Sequence, residues 1–147
     1  MGPASSSQND EISRTCECNH QEVVIKATRA RVYQALTEEK QFREVTNISI
    51  PGAATAISPE VGGTFFIFGG VISGRHIEMV PNERLVQAWR EKDWTPGVSS
   101  VARFQLNDGG SDTRLVFDHT GFPQGKAGSL ATGWKSHYWD ALQKYLA

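Results

Sequence analysis

The chain has 147 residues, of which 39% are hydrophobic and 21% charged, and its formal net charge is −1. This length fits one domain of the usual size, about 100–200 residues, and a fold of roughly 150 residues needs no metal or disulfide for stability. A net charge near zero argues against nucleic acid and anionic membranes as partners. No apolar run approaches the roughly 18 residues of a membrane span and no signal peptide opens the chain, so a cytoplasmic protein is expected.

Residues 1–20 differ in composition from the remainder. They begin with MGPASSSQND, which is small, polar and turn-forming, so we predict a disordered tail at 1–20 and a single domain at 21–147. Cys16, Cys18 and His20 form the one cluster that suggests metal chemistry, but zinc takes about four ligands held by folded structure. We therefore predict two reduced thiols, no metal site and no cofactor.

The first half of the domain predicts one strand, two helices and a glycine-rich connection. The stretch EVVIKA at 22–27 is an apolar-rich strand. Thr28 is a candidate N-cap for the helix that follows, and Thr37 is a candidate cap for a second, short helix. Residues 50–63 are dense in Pro and Gly, so they leave room for only a short strand between turns.

Five longer strands follow and predict an antiparallel meander. Short turn-forming connections separate them, among them Gly69-Gly70 and Pro81-Asn82. The predicted strands cover residues 64–68, 71–80, 84–91, 98–106 and 113–119.

Residues 129–146 predict one helix of about four to five turns, with its apolar side chains on one broad stripe. The stripe has to lie on a sheet, and the meander is the sheet available. The predicted fold class is α+β, with a curved antiparallel sheet of about six to seven strands wrapped around a long C-terminal helix and two short helices after the first strand. The predicted stripe consists of Leu130, Trp134, Tyr138, Ala141, Leu142 and Tyr145.

Four stretches carry a resemblance to a known family: GGTFFIFGGVISG, EMVPNERLVQAWREKDWTPGVSS, TRLVFDHTGFP and GWKSHYWDALQKYL. The most specific parts are Trp89-Arg90 followed by Trp94 and Pro96-Gly97, and the pair Gly133-Trp134. In order and spacing, residues 22–146 resemble the family of activators of heat-shock-protein-90 ATPase homologues.

The resemblance implies a helix-grip fold of the START and birch-pollen-allergen superfamily. The eukaryotic co-chaperone of this family has two domains, and the sequence resembles the C-terminal one. Because the N-terminal domain supplies much of the contact with the chaperone, we expect this chain alone to stimulate the chaperone ATPase weakly or not at all. Single-domain relatives in the superfamily are mostly ligand carriers, with some cyclases and hydrolases, that bind apolar molecules between sheet and helix.

The sequence shows no catalytic constellation, so we predict a protein that is not an enzyme. His119 is the best candidate for acid–base chemistry, since its parity with Phe117 points it inward while Asp118 points outward. A histidine whose ring is hydrogen-bonded at a strand end, or lines an apolar cavity, is the simpler interpretation. There is no Gly-x-Ser-x-Gly elbow, and GGVISG joins two strands rather than opening a helix, so it is not a phosphate loop.

The charged run WREKDW at 89–94 has two interpretations. Arg90, Lys92 and Trp94 could form a partner-binding site, because Trp and Arg are frequent in interface hot spots. Alternatively, the run is a strand end with alternating charges, in which Trp89 points inside and Trp94 folds over the rim.

Two functions of different classes follow, with an enzyme as the third. The first is binding of a small apolar or aromatic ligand between the sheet and the C-terminal helix, which a cavity of about 300–1,000 Å³ would favour. The second is docking on the 90-kDa heat-shock chaperone with stimulation of its ATPase, which a filled core and an exposed Trp94 would favour. The third is a cyclase or hydrolase acting on an apolar substrate in the same cavity, and monomer and homodimer both remain open. The predicted ligand-binding residues are Phe65, Ile67, Trp89, Phe104, Phe117, His119, Trp134 and Tyr138.

Overall fold

The computed structural model describes residues 17–147. Seven strands form one antiparallel sheet in the order β1-β7-β6-β5-β4-β3-β2, which confirms the predicted α+β helix-grip fold. No helix in this part of the chain is long and apolar enough to cross a bilayer. The strands are β1 (Cys18–Ile25), β2 (Ala56–Ile57), β3 (Thr64–Ile67), β4 (Ile72–Val80), β5 (Arg84–Glu91), β6 (Ser100–Asp108) and β7 (Thr113–Thr120).

Three helices complete the fold. Helix α1 (Arg29–Thr37) and helix α2 (Glu39–Ser49) follow β1, as predicted. The C-terminal helix α3 (127–146) consists of an α-helical part, Ala127–Gly133, a π-helical part, Trp134–Trp139, and a second α-helical part, Asp140–Leu146.

The first strand begins earlier than the sequence predicts. β1 starts at Cys18, which pairs with Thr120 of β7, so the last three residues of the predicted tail are strand residues. Cys16 lies outside the described residues. The side chains of β1 that face α3 here are polar rather than apolar: Asn19 Nδ2 donates to the carbonyl of Ala127 at 3.1 Å. Apolar periodicity misses this part of the strand because amide side chains, not hydrocarbon, attach it to the helix.

The two predicted helix caps have different outcomes. The Thr28 hydroxyl accepts from Arg31 N at 3.4 Å, which confirms the N-cap of α1. The prediction for Thr37 is wrong, because α1 continues through this residue and its buried hydroxyl donates to the carbonyl of Tyr33 at 2.8 Å. Helix α2 therefore begins after Glu38 without a side-chain cap.

The core lies between the inner face of the sheet and α3. Five of the six predicted stripe residues of α3 are buried, and the sixth, Tyr145, is partly buried and packs against the core. Trp139, which was not among the predicted stripe residues, is buried as well, with 3% of its surface exposed. A π turn closes its hydrogen bonds over one more residue than an α turn. Tyr138 and Trp139 lie in the π-helical part of α3 and are adjacent in sequence, yet both pack against Phe104 on the sheet.

Candidate ligand-binding site

A cavity of about 260 Å³ lies between the first half of α3 and the adjoining ends of β4 and β5. Aromatic and aliphatic side chains form most of its wall, and three polar residues complete it. This composition is that of small-molecule sites, which are mainly apolar with a few polar groups. The lining residues are Ile50, Phe68, Val71, Ile72, Trp89, Leu130, Gly133, Trp134 and Tyr138, with the polar residues Glu91, Ser129 and His137.

One wall of the cavity is shaped by the turn between β3 and β4. Phe68 and Gly69 have positive φ angles of 52° and 67°, a region that glycine enters readily and other residues rarely. The turn places the buried Phe68 ring against α3, with its centroid 5.6 Å from that of His137 and 5.9 Å from that of Tyr138. Backbone geometry at this turn therefore determines where the sheet ends and the cavity begins.

The opposite wall comes from α3. Leu130, Gly133, Trp134 and His137 recur at intervals of three and four residues, so they lie on one face of the helix, and all four line the cavity. The π-helical part begins at Trp134 and contains His137. Turns of this type occur frequently at functional sites.

His137 contributes a polar atom that has no partner in the described part of the chain. Its Nδ1 is buried, and none of residues 17–147 forms a hydrogen bond with it. A buried nitrogen without a partner is costly. The residue that carries this nitrogen lines the cavity.

Glu91 contributes the carboxyl group. It is the last residue of β5, pairs with Ile72 of β4 and is half-buried. Burial is the main effect that raises the pKa of Glu91; the neighbouring Asp93 adds to it, and Lys126 opposes it. Among the described residues, no side chain forms an ion pair with this carboxyl group.

His119 lies beside the cavity, fully buried, in a chain of hydrogen bonds. Trp134 Nε1–H donates to His119 Nδ1 at 3.0 Å. Nε2 of the neutral ring therefore carries the proton and donates to Ser100 Oγ at 2.7 Å, and that hydroxyl donates to the Trp89 carbonyl at 2.9 Å. Burial lowers the pKa of His119 to about 4. The ring is neutral at physiological pH with both nitrogens satisfied, as the simpler interpretation of the sequence expects.

Comparison with known proteins identifies the family. The family model described as "Activator of Hsp90 ATPase homolog 1-like protein" matches residues 26–147. The chain belongs to this family. The resemblance read from the sequence is thereby confirmed over nearly the same range.

Individual relatives agree with this membership. The human activator of 90 kDa heat shock protein ATPase homolog 1 is 22% identical over 130 residues, which make up 88% of this chain and 37% of that protein. The chain thus spans little more than a third of the length of this curated relative.

Solved structures show the same fold at low sequence identity. An HSP90 activator from Plasmodium falciparum has a TM-score of 0.81 at 18% identity, over 88% of this chain and 95% of the other. CalU16 from Micromonospora echinospora has a TM-score of 0.74 at 18% identity, over 90% of this chain and 77% of the other.

In this family domain, all eight side chains predicted to bind a ligand are buried, with at most 4% of their surface exposed. Three of them, Trp89, Trp134 and Tyr138, line the cavity. Phe65, Ile67 and Phe104 instead border a space of about 10 Å³, which has room for about one water molecule. Phe117 and His119 pack against Trp134 with ring centroids at 4.2 Å and 5.4 Å. The predicted residues therefore surround a packed centre, with the cavity at one end.

The sequence interpretation missed Glu91 and His137. His137 lies three residues after Trp134 and seven after Leu130, a helical spacing that could have placed it on the same face. Glu91 carried no such signal, because its position in the cavity depends on the turn at Phe68 and on pairing with β4.

The three residues predicted to contact a partner are not equally accessible. Trp94 is buried, with 5% of its surface exposed, and packs edge-on against Trp89 at 5.8 Å. The Arg90 guanidinium donates to the carbonyls of Trp94, Thr95 and Val98 at 2.7–3.1 Å. Only Lys92 of the three is exposed. Trp94 is therefore not the exposed residue that would favour docking, because Arg90 attaches the loop after β5 to the domain. A partner role for the set stays a prediction.

His20, from the predicted metal-like cluster, is bound by two carboxyl groups. Its Nδ1 lies 2.6 Å from Asp118 Oδ1, and its Nε2 lies 2.8 Å from Glu22 Oε2. Asp118 and then Glu22 raise the pKa of His20. Cys18 is an exposed free thiol, and within residues 17–147 no group of three or more His, Cys, Asp or Glu side chains is arranged to bind a metal ion.

Proposed function

We propose that this domain binds a small apolar or aromatic molecule in the cavity between α3 and the ends of β4 and β5. The observation that carries the proposal is a space of about 260 Å³ that is lined mainly by aromatic and aliphatic side chains, with Glu91, Ser129 and His137 as its polar residues. An apolar cavity of about 150 Å³ accepts benzene, so this space has room for a second fused ring. Its volume is slightly below the usual range of ligand sites, about 300–1,000 Å³.

A substitution that fills the cavity tests the proposal. Gly133 lines the cavity, has the helical angles φ −63° and ψ −43°, and has no atom within 4 Å of the position where a Cβ would be. Gly133→Leu therefore adds a side chain to the cavity without a backbone clash. It also replaces a poor helix former with a good one, so loss of binding cannot be attributed to unfolding.

The measurement is calorimetric titration with 1-naphthylmethanol, a neutral two-ring compound. The wild-type protein is expected to bind it, and Gly133→Leu to lose binding while keeping or raising its melting temperature. Gly128→Leu is the matched control, because Gly128 is in the same helix, is open to added atoms and does not line the cavity. The proposal fails if the wild-type protein does not bind, or if Gly133→Leu binds as well as Gly128→Leu.

The family supports a second candidate function. The human relative is named as an activator of the 90 kDa heat shock protein ATPase, and the Plasmodium falciparum structure, with a TM-score of 0.81, as an HSP90 activator. We propose docking on the 90-kDa chaperone as the alternative role of this domain. Its test is the steady-state rate of ATP hydrolysis by the chaperone with this chain in excess. Several-fold stimulation at micromolar concentration supports the role, and an unchanged rate rejects it.

A further inference from the structure

The polar groups of the cavity indicate what charge its ligand carries. We propose that the cavity selects an aromatic molecule with one ammonium group, which the Glu91 carboxylate binds while the ring system lies among the aromatic side chains. This inference rests on the proposed ligand-binding function and specifies its ligand class.

The first argument is the carboxylate itself. Glu91 lines a mainly apolar cavity and forms no ion pair within residues 17–147. A charged group taken partly out of water is stabilised by an opposite charge. An ammonium group in the cavity would provide that charge and would donate charge-assisted hydrogen bonds to the carboxylate.

The second argument is the aromatic wall. Trp89, Trp134 and Tyr138 line the cavity together with Phe68. The centroids of Trp134 and Tyr138 are 4.1 Å apart, and those of Trp89 and Trp134 are 5.1 Å apart, so these three rings are in contact. Aromatic faces carry partial negative charge and attract cations. Rings and carboxylate therefore favour the same sign of ligand charge.

The third argument is His137. Its buried Nδ1 has no hydrogen-bond partner in the described part of the chain. In the tautomer that carries the proton on Nε2, this nitrogen is an acceptor. Because His137 lines the cavity, we expect its ring to turn so that this nitrogen accepts an N–H of the ligand's ammonium group.

The charges around Glu91 also disfavour an anionic ligand. The exposed Asp93 is close enough to raise the pKa of Glu91, and the effect of Lys126 in the opposite direction is the smallest of the three. A carboxylate ligand would thus face repulsion from Glu91 and Asp93 with weak compensation from Lys126.

Three probes with the same ring system test the inference by calorimetry at neutral pH: 1-naphthylmethanol, 1-naphthylmethylamine, which is protonated, and 1-naphthylacetate. The wild-type protein is expected to bind the ammonium roughly tenfold more tightly than the alcohol, and the carboxylate more weakly than either. In Glu91→Gln the ratio of the alcohol and ammonium dissociation constants should fall toward one. His137→Phe, which retains a ring next to Phe68, should reduce the ratio in part.

Asp93→Asn is the matched control, since it removes the same charge two residues away at an exposed position that does not line the cavity. It should retain most of the ammonium preference. If the alcohol does not bind to wild-type protein, the proposed function itself fails. If the alcohol binds but the ammonium has no advantage, if the carboxylate binds best, or if the preference survives Glu91→Gln, the cavity exists and the inference about charge is wrong.

Discussion

The indole Nε1–H of Trp134 donates a hydrogen bond of 3.0 Å to Nδ1 of His119. This bond joins α3 to β7 in the buried core, and it leaves the other nitrogen of the imidazole to donate to Ser100. Trp134 is also part of the cavity wall. The same side chain therefore stabilises the fold, determines the tautomer of His119 and borders the candidate site.

Substitutions of Trp134 should separate packing from hydrogen bonding. Trp134→Ala is expected to lower the free energy of unfolding by about 3–5 kcal/mol, because it deletes a fully buried ring. Trp134→Phe keeps a ring but leaves His119 Nδ1 unpaired, so a smaller loss of about 1–3 kcal/mol is expected. Urea denaturation measures both values. Equal losses in the two variants would contradict a separate contribution of the hydrogen bond.

Stability should decrease on mild acidification because of His119. Its pKa is about 4 in the folded protein, well below the ordinary histidine value of 6.5, so the unfolded chain takes up a proton before the folded one does. The contribution of His119 to the free energy of unfolding should therefore be nearly constant above about pH 7.5 and should fall by about 2 kcal/mol from there to about pH 5. Urea denaturation at several pH values measures the slope.

His119→Gln should flatten that slope, whatever it does to stability at pH 7. His20→Asn is the control, because the His20 ring is exposed and its pKa is raised rather than lowered, so this variant should still lose stability in the same window. A slope that His119→Gln leaves unchanged would assign the acid sensitivity to other groups.

The two buried histidines of the sheet should respond oppositely to the same substitution. His76 is 1% exposed, and neither ring nitrogen has a hydrogen-bond partner among the described residues. Burial is the main effect on the pKa of His76 and lowers it, while the nearby Ser58 backbone partly opposes this decrease. His76→Leu should be neutral or stabilising by up to about 1 kcal/mol, because it removes unsatisfied polar atoms. His119→Leu should cost about 2–3 kcal/mol, because Trp134 and Ser100 lose their partner. Comparable losses in urea denaturation would show that His76 has a partner.

Arg90 should order the loop that follows β5. Its guanidinium donates to three carbonyls of this loop, a geometry that a lysine ammonium cannot reproduce. In Arg90→Lys, backbone amides of residues 92–98 should exchange hydrogen roughly tenfold faster or more, corresponding to about 1–3 kcal/mol of lost local stability. The exposed Lys92→Ala is the control and should leave exchange unchanged. If hydrogen exchange is unchanged in Arg90→Lys, Arg90 is not needed to order this loop, and its side chain is available to contact a partner.

Much of the fold could be predicted from local patterns. Short turn-forming connections such as Gly69-Gly70 and Pro81-Asn82 separated the predicted strands from β3 to β7, so strand order in the meander followed from chain order. The parity of Phe117 and His119 on one strand correctly predicted that both side chains point into the core, with Asp118 outside. Family membership followed from motifs such as Trp89-Arg90 and Gly133-Trp134.

The site depended on features without a local pattern. Pairs of aromatic side chains that are distant in sequence, such as Phe68 with His137 or Trp89 with Trp134, decide whether a space is filled or left open. Trp94 is buried because Arg90 attaches its loop, a contact that composition cannot show.

The sequence alone determined the class of fold, the inward faces of the sheet and the helix, and the family, because strand and helix periodicities are properties of neighbouring residues. Only the tertiary structure decided that the centre of the sheet is packed and that the cavity lies at the end of β5, next to Glu91 and His137. The physical reason is that a cavity is the volume left over when rings from separate elements meet. The volume of the cavity depends on the positive φ at Phe68 and on the π turn at Trp134–Trp139. Both features change the positions of side chains without changing the hydrophobic pattern of the sequence.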